Sequence, residues 1–147
     1  MIIDAQLLFS DSQDLTGGAS NSTNLIDTGV AGGRGLGVGE PLYIWVNVEV
    51  ALTGASVTCV VNLQGDSTTT ITPDATEQLF IIPALAAAGK VYIARLQPTS
   101  DVLALRYLRL AYVPTGGAAS LSTGTVSAGI TTNIQKAVAY NDNITIT

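Results

Sequence analysis

The chain has 147 residues, 47% apolar and only 12% charged, with a net charge of −5 from 6 Lys and Arg against 11 Asp and Glu. That length suits one domain able to remove about 70% of its extended-chain surface from water, and so few basic residues exclude an electrostatic footprint for a phosphate backbone. Histidine is absent, which removes the commonest general base, nucleophile activator and transition-metal ligand.

In chain order, the opening MIIDAQLLF has no basic segment and places Asp4 inside its apolar stretch, so it does not read as a secretory signal; a soluble protein made without an export signal is expected. IIDAQLLF and STNLIDTG (22–29) read as strands. In GGRGLGVGE, counting from Gly33 or Gly35 puts the third glycine of a dinucleotide fingerprint on Val38 or Glu40. The fingerprint fails and the stretch reads as a long loop. LYIWVNVEV (42–50) is the clearest strand: Leu42, Ile44, Val46, Val48 and Val50 share one face, expected to be the core face, and Tyr43, Trp45, Asn47 and Glu49 the other.

Further strands are predicted at SVTCVVNLQ (56–64), EQLFII (77–82), KVYIARL (90–96), LRYLRLAY (105–112), GTVSAGITTNI (124–134) and AVAYNDNITIT (137–147). Cys59, the only cysteine, falls in an alternating apolar segment and is expected to be a packed thiol. The longest apolar run, LFIIPALAAAG (79–89), is broken by Pro83 and too short to span a bilayer. Gly89-Lys90 has Ala84 where a phosphate-binding loop needs glycine. Clusters such as TGGASNS, GDSTTTITPD, QPTSD and PTGGAAS supply turns, and no segment sustains a helical period. Short strands at this spacing predict an all-β, antiparallel β-sandwich of jelly-roll type, one domain over 1–147, with 133–147 as an extra C-terminal strand or arm.

The carboxylates Asp11, Asp14, Asp27 and Glu40 have no local pairing and read as turn residues, and the NDN at 141–143 fits no ordered calcium loop. No catalytic residue, cofactor or metal site is expected. Two constellations remain. Tyr43 and Trp45 form a sugar-stacking platform, a subunit interface, or one half of a core if the faces are reversed. Arg106 and Arg109, three positions apart on one strand, point to opposite faces and cannot clamp one ligand together. One is expected to pair with a buried or interfacial carboxylate, the other to lie near a strand end.

MIIDAQLLFSDSQDLT, STNLIDTG, GRGLGVGEPLYIWVNV, RYLRLAY and GTVSAGIT stand in an order that resembles the capsid cement proteins of tailed phages, the family typified by the Bordetella-phage cement protein, over roughly residues 1 to 132. The resemblance implies a small jelly roll on the outside of an icosahedral head, made in the host cytoplasm. Its partners would be the major capsid protein and itself, as a dimer or trimer, with no catalytic residues, nucleic acid or membrane. On that reading Leu108 and Leu110 fill the core while Tyr107 and Arg109 face a covered side near a subunit or capsid contact. NIQKAVAYNDNITIT extends beyond the family pattern; Ile144 and Ile146 are in phase, as for an edge strand or an arm added to a neighbour's sheet. The alternative is a carbohydrate-binding jelly-roll module of a virion surface or fibre. Aromatics amount to only 5% of the chain, few for a sugar platform.

Overall fold

The computed structural model of the protein describes residues 7–29, 41–70, 72–97 and 99–132. Within them lie β1 (Leu8–Asp14), β2 (Ser20–Asn21), β3 (Ile26–Asp27), β4 (Tyr43–Thr53), β5 (Thr58–Asp66), β6 (Ala75–Ile82), β7 (Val91–Arg95), β8 (Tyr107–Thr115) and β9 (Thr123–Thr131). A short 3-10 turn at Asp101–Ala104 precedes β8. The first sheet has the order β1-β9-β4-β7 and the second β2-β8-β5-β6, with β3 also on β8. All pairings are antiparallel.

The pairings nest from the outside inward: β1 with β9, β2 and β3 with β8, β4 with β7, and β5 with β6. The chain is thus one long hairpin whose tip is the β5–β6 turn. Folding that ribbon across itself adds the β4–β9 and β5–β8 pairings and closes two sheets face to face. This is the jelly-roll form of the β-sandwich.

Alternation explains most of the core. β4 turns Ile44, Val46 and Val48 inward, β5 Cys59, Val61 and Leu63, β8 Leu108, Leu110 and Tyr112, and β9 Val126, Ala128 and Ile130. Val50, expected in the core with its even-numbered neighbours, is instead 49% exposed. The β4–β9 register shifts between Val48 and Val50 and again between Val50 and Thr53. Each bulge adds a residue to β4, so the first turns Val50 out and the second returns Leu52 to the core, where it is 1% exposed.

The ends of the sandwich are closed by loops. Ser100 caps the 3-10 turn, its hydroxyl accepting from Val102 N, and Val102 and Leu103 are buried. Gly65 permits this: a Cβ there would lie 2.9 Å from both Leu105 Cδ1 and Val102 O. At the opposite end the β8–β9 loop presses on the β4–β5 loop. Gly117, at φ +48, is needed because a Cβ would lie 2.1 Å from Ala55 O.

Boundaries differ from expectation in places. β1 runs on to Asp14, beyond the predicted IIDAQLLF, whose first residues lie outside those described. STNLIDTG contributes only the two-residue β3. The predicted strand 137–147 and the arm at 133–147 also lie outside the described residues.

Candidate interaction surface

Tyr43 and Trp45 sit on the outer face of the first sheet. Trp45 lies opposite Gly129 on β9 and Ile93 on β7, and a Cβ on Gly129 would come within 3.1 Å of its Cζ2 and 3.2 Å of Leu8 Cδ2. The indole therefore lies over the glycine, in an outward row Leu8–Gly129–Trp45–Ile93, and keeps only 5% of its surface. Tyr43 is half-buried between Thr131 and Arg95.

Tyr107 and Arg109 lie on the outer face of the second sheet, both half-buried, while Leu108 and Leu110 fill the core as expected. Arg106 precedes β8 and is released from its alternation. Its Nε and Nη2 donate to Asp27 Oδ1 and Oδ2 at 2.8 and 2.9 Å, and its guanidinium lies 4.9 Å from the Tyr107 ring centroid. The pair is solvent-facing, at 40% and 44% exposure, so the carboxylate that meets an arginine is an exposed one on β3. The Arg106 guanidinium, helped by Gly29 N–H, holds the Asp27 carboxyl below the usual carboxylate range. Arg109 Nε donates to Gln64 Oε1 at 2.8 Å. The sandwich thus brings Arg106 and Tyr107 together with Asp27 and separates them from Tyr43 and Trp45 on the opposite face. Ile144 and Ile146 lie outside the described residues.

Other polar groups serve local structure. Asp14 accepts from Thr16 Oγ1 and N, and the buried Asp66 from Thr68 N and Oγ1; these bonds, led by the Thr16 hydroxyl and the Thr68 amide respectively, lower both carboxyls. Glu49 accepts from Ser12 Oγ and Ser127 Oγ, tying β1 to β9 and β4. Burial pushes the Cys59 thiol up to about 12, as fits a packed cysteine. Among the described residues no group of three or more His, Cys, Asp or Glu is placed to hold a metal ion.

Two open recesses flank the second sheet. One of about 170 Å³ is lined by Arg109 and Leu25 with Asn21, Ser22, Thr23, Asn24 and Thr69; the other contains Asp74, Glu77 and Asp101. Sequence reasoning missed the apolar side chains left outside this sheet, Ile81 and Leu85 among them. Their signal lay in the run 79–89: the fold turns Ile82 and Ala86 inward and leaves Ile81 and Leu85 to solvent.

The described strands define an antiparallel two-sheet β-sandwich, and none of the described helices is long and apolar enough to cross a membrane. A family model, Bbp16, matches residues 9–130, from β1 to β9, and the chain belongs to the Bbp16 family. The family name suggests a Bordetella phage protein. No curated protein matches the chain.

Proposed function

We propose that the protein is a capsid cement protein: it binds the outside of a tailed-phage icosahedral head, contacts neighbouring copies of the major capsid protein and stabilises the assembled shell. The observation that carries this reading is the family match across all strands of both sheets, joined to the resemblance in motif order. The role is structural and not enzymatic, with no cofactor, nucleic acid or membrane partner, and the protein acts as a homo-oligomer, a dimer or trimer, on the virion surface. A ligand that binds only the assembled shell stabilises it by mass action. Weak contacts repeated over the lattice raise the effective concentration of each further contact.

The test is co-sedimentation of the purified protein with expanded shells that lack it, titrated to saturation and followed by heat or low-salt challenge. Saturable binding at a fixed ratio to capsid subunits, with a more resistant shell, is expected; absence of binding overturns the reading. The recess beside Arg109 favours a second reading, a carbohydrate-binding module, since its Asn, Ser, Thr and Arg side chains suit hydroxyl or carboxylate groups. Among the described residues no aromatic ring lines it. Glycan-array binding that Arg109→Ala abolishes, without shell binding, selects that reading.

A further inference from the structure

The outer face of the second sheet changes character along its length. Toward one end the registers place Val113 opposite Val60 and Val60 opposite Ile81, so three β-branched side chains on adjoining strands form an outward apolar row. Ile81 is 49% exposed, and Leu85, just past Pro83, is 70% exposed. Leu85 has φ +60, in the left-handed region that a bulky side chain rarely adopts. Toward the other end lie Asp27, Arg106 and Arg109.

The segments around Leu85 carry no charge: 50–58, 81–89 and 113–125 contain no Asp, Glu, Lys or Arg, and Lys90 and Asp14, the latter opposite Thr125, stand at their border. These segments interlock through Ser122 N to Thr53 O at 2.7 Å and Leu52 N to Ala86 O at 3.0 Å. Ser56 and Ala119 within them also have left-handed backbones, at φ 56 and 50. Backbone strain here accompanies exposed apolar side chains, the combination found where a surface is shaped for contact.

We propose that this uncharged corner, made of Leu85, Ile81 and the Val60–Val113 pair, is the surface that seats on the capsid shell; the inference rests on the cement reading above. Area decides the occupant. An aliphatic side chain removes on the order of 100 Å² from water, so four partly exposed ones supply about 300 Å², below the ~800 Å² per partner of a stable pair of proteins. A second copy held by this corner alone would dissociate. A homo-oligomer that carries one such corner per copy engages a shell that repeats the contact at several points at once, and is retained although each engagement is weak. An uncharged seat lets it do so without burying an unpaired charge.

The experiment compares the full chain with the double variant Ile81→Thr/Leu85→Gly in co-sedimentation with expanded shells, alongside sedimentation velocity of each protein. Both substitutions suit their backbones, since threonine favours strands and glycine accepts φ +60. Melting is therefore expected to be unchanged, while apparent shell affinity falls at least tenfold. Thr76→Asp, exposed on the same sheet toward its charged end, is the control and retains wild-type binding. Failure of the wild type to bind shells overturns the cement reading itself. Wild-type binding matched within twofold by the double variant overturns this surface alone. A wild-type oligomer that the double variant dissociates assigns the corner to a second copy and overturns the proposal.

Discussion

Tyr112 of β8 and Ser10 of β1 meet inside the sandwich, their hydroxyl oxygens 2.8 Å apart across the space between the sheets. Ser10 Oγ donates onward to Gln13 Oε1 at 2.7 Å, so the Tyr112 hydroxyl is the donor to Ser10. The two residues are 1% and 0% exposed. Ser10→Ala leaves the Tyr112 hydroxyl buried without this partner and is expected to cost about 1–3 kcal/mol. Tyr112→Phe leaves Ser10 its bond to Gln13 and is expected to cost about 1 kcal/mol. Urea unfolding of both variants and the double variant checks the order; a larger loss for Tyr112→Phe would contradict the donor assignment.

The double bulge in β4 makes neighbouring aliphatic positions unequal. Leu52→Ala is expected to cost about 2–5 kcal/mol, as for a buried leucine truncated in a packed core. Val50→Thr, at an exposed position, is expected to stay within about 0.5 kcal/mol of wild type. Denaturant midpoints of the two proteins check this, and comparable losses would mean that the bulges do not persist in solution.

Acid stability follows from the three lowered carboxyls. Asp14, Asp27 and Asp66 are held below their ordinary values in the folded chain, so between folded and unfolded values the unfolded state binds more protons. Stability therefore rises with pH in that window: the contribution is complete above the ordinary carboxylate value of about 4 and is lost as pH falls below it. Melting temperature should be level from about pH 5 to 8 and drop below about pH 4, with a shallower drop in Asp27→Asn. At the alkaline side the sign reverses for Cys59, pushed from 9.0 to about 12: stability is complete below the lower value and declines as pH climbs toward the upper one. Cys59→Ala should soften that decline.

Two glycines with left-handed backbones should respond differently to alanine. Gly117→Ala would drive a Cβ into Ala55 O and is expected to lose more than about 3 kcal/mol, whereas Gly89, at φ +84 with nothing within 4 Å of a Cβ, should lose about 1 kcal/mol. Thermal melts of the two variants make the comparison, and equal losses would show that the β8–β9 loop moves aside freely.

Strand alternation made the core legible where strands are regular. Ile44, Val46 and Val48, and again Leu108 and Leu110, occupy the core as their spacing requires. It failed at Val50 because a bulge leaves no mark in side-chain composition. Arg106 shares the parity of Leu108, but β8 begins only at Tyr107, and nothing local to Arg106 announces that Asp27 waits on another strand. Trp45 was readable as an anchor. Its concealment depends on glycine at 129, a contact between β4 and β9 that alternation within either strand cannot express. The left-handed turn at Leu85 falls on a bulky residue, where alternation and turn composition do not announce a positive φ.

The nested hairpin also fixes the direction in which the chain arrives and departs. β1 begins where Leu8 faces Gly129 near the end of β9, while the far ends of these strands, through Leu15 N to Gly124 O and the Gly17–Leu121 bridge, meet beside the uncharged corner. Entry to the first strand and exit from the last therefore share the side remote from that corner. If the corner rests on a shell, a reporter or antigen grafted at either of those points would be carried outward, making the sandwich a pedestal for cargo.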